Sequence, residues 1–175
     1  NVAKRILAQA SAGDRKLINQ LLAYPEDSAG SIMTTEFVDL KASMTVADAF
    51  ERIRKVGTDK ETIYTCYIID SSRHLKGIVT VKDLLLSKSD VRLEEIMNEN
   101  IIFAGTLQNR EEVVQLFDRY DLLALPVVDN ENRLVGIITV DDAIDVLQEE
   151  MSEDFEQMAA ITPTDNDVPY LKTGV

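Results

Sequence analysis

The 175-residue sequence holds one cysteine, one histidine and no tryptophan. Cys66 alone permits no disulfide within the chain and no cysteine-based zinc site, and it fits a reducing compartment. Its apolar surroundings mark it as a core residue. His74, the sole imidazole, sits in a polar turn, which removes His–Cys and Ser–His constellations and argues against soft or borderline metals. Glycine is scarce at seven residues, and neither a phosphate-cradling glycine loop nor a Gly-x-Ser-x-Gly elbow occurs. An EF-hand calcium loop is also missing. The chain is therefore read as a non-enzyme. Apolar runs are short: 122–128 is among the longest, far below the roughly 20 residues a membrane helix needs. The first residues carry no secretory signal pattern. A start without Met and an abrupt stop at Gly174-Val175 suggest a piece of a larger protein, which could carry membrane spans elsewhere.

Positive charge is the other shortage. Thirty-one acids face eighteen bases, for a net charge of −13. Such a protein repels nucleic acid and anionic membrane surfaces, so no nucleic-acid partner is expected, whereas excess carboxylate attracts cations. Apolar content of 45% and charged content of 28% place the chain among globular proteins rather than disordered ones. The shortage is sharpest over 134–171, which has ten acids and no Lys, Arg or His. Asp142, Asp145, Glu149, Glu153 and Glu156 recur three or four apart, on one stripe of a helix, and Asp141, Glu150 and Asp154 broaden it. A solvated face is the plain account. Against it, like charges at this spacing cost roughly 0.2–0.5 kcal/mol per pair, and the helix supplies no base of its own. Its acids also continue into the C-terminal half, where the helix dipole disfavours them. A cation from solution, or a basic partner, would relieve the repulsion. Carboxylate oxygens suit a hard cation such as magnesium, which keeps several waters and so needs only one or two carboxylates per ion.

What the sequence does contain is a repeat. Ile68-Ile69-Asp70 and Gly77-Ile78-Val79-Thr80-Val81-Lys82-Asp83 return 59 positions later. There they read Val127-Val128-Asp129 and Gly136-Ile137-Ile138-Thr139-Val140-Asp141-Asp142. Ile32-Met33-Thr34 returns 64 positions later as Ile96-Met97-Asn98, so the first copy carries about five extra residues near 57–62. Each copy reads β-α-β-β-α. Short strands are expected at 37–39 and 101–103. Helices follow over 46–56 and 110–120, where Ala49, Phe50, Ile53 and Val56, and Val113, Leu116, Phe117 and Tyr120, fall at helical spacing. Thr45 and Asn109 serve as N-caps. The apolar runs 64–69 and 124–128, then 77–80 and 136–139, are strands separated by polar turns. The class is α/β, with small sheets covered by helices. Ahead of the repeats, residues 2–10 and 14–24 predict two helices hinged at Gly13, the second closed by Pro25. Behind them, Ile144, Leu147, Met151, Phe155 and Met158 predict one long helix over 140–159, with 162–175 as a linker.

The element order and the Gly-apolar-apolar-Thr-Val-x-Asp that closes each copy resemble the CBS (cystathionine-β-synthase) domain family over about residues 31–150. A narrower set is similar to the cytosolic region of MgtE-family magnesium transporters and channels. It comprises Asp27-Ser28-Ala29-Gly30-Ser31-Ile32-Met33-Thr34, Glu61-Thr62-Ile63-Tyr64, Tyr120-Asp121, Leu125-Pro126-Val127-Val128-Asp129 and the stretch 153–160. The resemblance implies tandem CBS domains, the first over 31–90 and the second over 91–150. Residues 1–30 would be the end of a preceding acidic helical domain. Residues 151–175 would finish a connecting helix and lead toward a membrane domain absent from this chain. The function implied is magnesium sensing at the cytoplasmic face of the cell membrane, by a homodimer formed through its CBS domains. Ions bridging acidic faces would close the domains and gate transport. Carried over residue by residue, the metal candidates are Glu111, Asp121, Asp142, Asp145, Glu150 and Glu153, with Asp118 contributing through its backbone carbonyl. Glu111, Asp118 and Asp121 fall on one ridge of their helix.

CBS pairs commonly bind adenine nucleotides, with a Thr or Ser and an Asp at the strand-to-helix turn holding the ribose while helix-start amides face phosphate. Thr80 with Asp83, and Thr139 with Asp142, fit that spacing. The same residues would equally cap and stabilise the first helical turn. The resemblance places ATP, or another adenine nucleotide, around Tyr67, Lys82, Asp83 and Leu122. Lys82 stands where it leads one to expect arginine, and Leu122 where it leads one to expect a ring that stacks on adenine. In the second copy Asp141 and Asp142 would repel phosphate. The alternative function is a nucleotide-sensing CBS pair that regulates an attached enzyme or transporter. A third is a dimerisation module whose acids confer only solubility.

Overall fold

In the computed structural model of the chain, which describes residues 23–161, each repeat builds a three-stranded sheet. A short helix α1 (Ala29–Ile32) leads in. The first repeat continues with β1 (Asp39–Leu40), α2 (Val46–Val56), a 3-10 turn (Gly57–Asp59), β2 (Thr65–Ile69), β3 (Leu75–Thr80) and α3 (Val81–Leu86). After a linking helix α4 (Leu93–Ile96), the second repeat gives β4 (Ala104–Gly105), α5 (Arg110–Tyr120), β5 (Ala124–Val128), β6 (Leu134–Thr139) and α6 (Val140–Ile161). The helix between the first two strands lets them pair in parallel, while the tight turns before β3 and β6 force antiparallel pairing. No helix among the described residues is long and apolar enough to cross a membrane.

Local chemistry accounts for the helix starts. The Thr45 hydroxyl accepts the Asp48 amide while the Asp48 carboxylate takes the Thr45 amide, a reciprocal cap on α2. The Asn109 side chain accepts two amides at the start of α5. The expected spans of α2 and α5 coincide with those observed, and α6 runs two residues beyond the expected end. The expected strands at 37–39 and 101–103 lie early: ladder pairing begins only at Asp39 and at Ala104. Apolar content marked these extended segments. Pairing falls instead where the chain reaches the neighbouring strand, with Phe37 diverted into the core between the repeats and Phe103 left exposed. The helices expected over 2–10 and 14–22, and the linker over 162–175, lie outside the described residues. Ala23 and Tyr24, expected as the end of the second of these helices, form a turn and bend instead, in keeping with the restriction Pro25 places on the residue before it.

The two repeats exchange their leading segments. Ala29 and Met33 are buried in the core of the second repeat, and the Thr34 amide and carbonyl pair with Ile137. Leu93 is buried in the core of the first repeat, and Asn98 pairs with Ile78 in the same way. A third cluster, which includes Phe37, Tyr67, Ala124 and Leu134, joins the repeats. Cys66 lies in the first core, and burial pushes its thiol up to about 12, where a reactive thiolate does not form.

Candidate functional site

Helix α6 begins directly at the end of β6, so its register is fixed by the sheet. The Thr139 hydroxyl donates to Asp142 Oδ2 at 2.7 Å, which holds that half-buried carboxylate against the helix start. Asp145, Glu149 and Glu153 follow at one-turn steps and are exposed. Helix α5 packs against α6, and Val140 N donates to Leu123 O just past the end of α5. Arg110, at the opposite end of α5, reaches the middle of α6. The two helices are therefore antiparallel.

Arg110 changes the electrostatics expected from sequence. Its guanidinium lies 3.2 Å from Glu149 and 3.1 Å from Glu150, and its side chain is only 18% exposed. The acid helix has no base of its own, but its neighbour lends one. Nearby, Glu111 is held above its ordinary value, chiefly by the Glu150 charge and then by burial. Two carboxylates thus compete beside one guanidinium, an arrangement that favours any further cation.

Asp142, Asp145 and Glu149 line a cavity of about 360 Å³ together with Arg110, Glu61, Ser31 and Thr34. Asp145, Glu149 and Glu153 also line a shallow groove of about 510 Å³. Glu111 and Glu150 meet at the Arg110 end. Asp118 and Asp121 do not join them. Asp121 caps the far end of α5 in a left-handed conformation, φ 51°, and ten helical steps from Glu111 span roughly 15 Å. That separation keeps Glu111 and Asp121 from sharing an ion. Among the described residues no three acidic, His or Cys side chains converge on one point. An ion held here would meet one or two carboxylates of this chain and fill its shell with water or with groups from a facing surface.

The strand-to-helix turn of the first repeat is arranged in the same way. Thr80 and Asp83 form a reciprocal cap, and Lys82 and Asp83 are exposed. Leu122 is half-buried against the second core. Tyr67 stands elsewhere: it is fully buried, edge-on to Phe37 at 5.8 Å, and offers no face to a cleft. Strand alternation explains this, since Tyr67 points into the seam between the repeats. The exposed aromatic beside this turn is Tyr64, whose carbonyl accepts the Val81 amide and whose residue is 67% exposed. Arg110, Glu61 and Tyr64 escaped the sequence reading as site residues. Tyr64 was signalled by its place at the head of the strand, whereas the reach of Arg110 across forty residues had no local signal.

With this geometry in view, the comparisons decide the family. The CBS domain model matches residues 29–90 and 93–149. The chain belongs to the CBS domain family. It is 41% identical over 157 residues to the magnesium transporter MgtE of Thermus thermophilus, covering 90% of this chain and 34% of that protein. It is 40% identical over 154 residues to the magnesium transporter MgtE of Bacillus subtilis, covering 88% and 34%. The crystal structure of the cytosolic domain of the Mg2+ channel MgtE in complex with ATP superposes with a TM-score of 0.80 at 40% identity. That match covers 82% of this CBS pair and 58% of that chain. The CBS pair thus spans about a third of the length of the transporters it matches.

Proposed function

We propose that this CBS pair is the magnesium-sensing regulatory part of a magnesium transporter or channel, and that it catalyses no reaction. The observation that carries the proposal is the acidic face of α6. Asp142, Asp145, Glu149 and Glu153 stand in line, and only Glu149 among them, with Glu150 beside it, has a basic partner among the described residues. The similarity to MgtE transporters supports the choice of ion. When magnesium is scarce, this face repels an opposing acidic face. When it is plentiful, ions shared between the faces close them. Ions shift such an equilibrium only by binding the closed state better, which bridging supplies. Asp145, Glu153, the Glu111–Glu150 pair, and Asp118 with Asp121 would contribute to separate ions.

In this proposal the chain works at the cytoplasmic face of the membrane as a homodimer. Ile144, Leu147, Met151, Phe155 and Met158 form an exposed apolar stripe on α6 that a second copy or the membrane domain would cover. Residues 1–30 would continue a preceding helical domain, and 151–175 would connect to the channel. A second reading, an adenine-nucleotide site at Tyr64, Lys82 and Asp83, draws on the ATP complex of the similar MgtE cytosolic domain. The test is a magnesium titration of the 175-residue chain followed by small-angle scattering, with potassium chloride at matched ionic strength. A magnesium-specific fall in radius of gyration supports ion-bridged closure. An equal response to potassium removes it and moves nucleotide sensing to first place.

A further inference from the structure

We propose that the groove at the hairpin end of the molecule, between the turns that precede β3 and β6, binds a small organic oxyanion carrying an apolar ring. The groove measures about 600 Å³, within the range of small-molecule sites. Two guanidiniums and one carboxylate, Asp129, line it. Arg133 is neutralised, at 2.8 Å from Asp129 and 3.2 Å from Glu131. Arg73 forms no ion pair among the described residues, and its one side-chain hydrogen bond runs from Nη2 to the Leu134 carbonyl at 3.1 Å. That bond aims the guanidinium without cancelling its charge, and it leaves most of the five N–H donors free. In a chain of net charge −13, an unpaired, anchored arginine beside a groove is a selective place for an anion.

The backbone and the repeat single out the same residue. Arg73 is left-handed, φ 69°, a conformation costly for a long side chain. Its counterpart in the second repeat is Asn132, φ 59°, a residue type that tolerates the conformation. The molecule thus carries strain at position 73 that its own repeat shows how to avoid. The pseudo-equivalent groove, about 550 Å³, makes the contrast sharper. It presents Glu99 and Glu131 where the first groove presents Thr35 and Ser72. Lys76 and His74 also line that second groove, but both lie beside Asp70, so its two glutamates make it the poorer place for an anion. The first groove offers a guanidinium, with the hydroxyls of Thr35, Ser71 and Ser72 making no hydrogen bond among the described residues. Phe37, Met33 and Val135 supply an apolar wall for a ring. Guanidinium with hydroxyl donors suits a planar or tetrahedral oxyanion. The groove lies at the opposite end of β3 from Lys82 and Asp83, roughly 17–20 Å along the strand, so it is separate from the nucleotide turn.

The test titrates the 175-residue chain with phenyl phosphate and with benzoate, using inorganic phosphate and phenol as half-ligands. Binding is followed by amide NMR shifts and calorimetry. Saturable binding of either ring-bearing probe, with shifts centred on 71–74 and 133–135, is expected, and the preferred probe tells phosphate from carboxylate. Arg73→Asn copies the second repeat. It should weaken binding by at least about tenfold, as loss of a charge-assisted pair does, while the melting temperature holds or rises because strain is relieved. Lys82→Ala should leave affinity unchanged. Absence of saturation with both probes would overturn the proposal. So would an Arg73→Asn variant that binds as wild type, or shifts that map to Lys82 and vanish in Lys82→Ala.

Discussion

Tyr67 offers a clean test of the core between the repeats. Its ring is fully buried and its hydroxyl has no hydrogen-bond partner among the described residues. Burial also pushes its phenol above the ordinary range. An unsatisfied buried hydroxyl costs about 1–3 kcal/mol. Tyr67→Phe removes that oxygen, keeps the ring and keeps the edge-on contact with Phe37. Loss of the oxygen forfeits some dispersion contact, so the net gain should be about 1 kcal/mol, the low end of that range. For a chain of this size that raises the melting temperature by about 2–4 °C. Urea unfolding should show a higher midpoint at unchanged slope. ATP affinity should not change, because Tyr67 exposes no surface to a ligand. A midpoint that falls by more than about 1 kcal/mol equivalent would mean instead that the hydroxyl bonds an internal water that Phe strands.

Other perturbations probe the acidic face, the hairpin and the segment exchange. Arg110→Gln removes the countercharge from Glu149, which is largely exposed, and Glu150, which is half-buried, and should cost about 1–3 kcal/mol without divalent ions. Thermal melts should show magnesium restoring more stability to this variant than to wild type. Hydrogen bonds from His74 and Ser72 outweigh burial and hold Asp70 down at about 2. Ionised Asp70 is the favoured form, so its contribution is complete above the ordinary value of 3.8 and drains as pH falls toward about 2. Asp70→Asn should flatten the pH dependence of the unfolding midpoint in that window. A methyl at Gly136 would sit 2.8 Å from the Thr34 carbonyl oxygen, whereas at Gly77 the close contacts are all with the Met97 side chain. Gly136→Ala should therefore cost more than Gly77→Ala, within the roughly 1–3 kcal/mol of overpacking, and chemical denaturation of both variants measures the difference.

Much of the fold was legible because its signals are local. Helical spacing of Ala49, Ile53, Val113 and Phe117, with Thr45 and Asn109 as caps, marks α2 and α5 to the residue. The stripe from Asp142 to Glu153 follows from periodicity alone. Contacts between distant segments were not legible. The packing of Met33 on Gly136 and of Met97 on Gly77, and hence the exchange of leading segments, depends on tertiary closeness. The same holds for Arg110 and for Tyr67. A tyrosine in a strand has two faces to choose from, and only the position of the second repeat decides which is buried.

If the carboxylates of α6 sense magnesium, removing their charge must weaken the response to the ion. Asp145 and Glu153 make no hydrogen bond or ion pair among the described residues, so Asp145→Asn with Glu153→Gln alters charge without touching a structural contact. The direct measurement compares magnesium-dependent scattering and calorimetric binding of this double variant with wild type. A weaker or absent compaction, with fewer ions bound at unchanged melting temperature, is the predicted result. Compaction and ion count equal to wild type would mean that these carboxylates do not sense the ion.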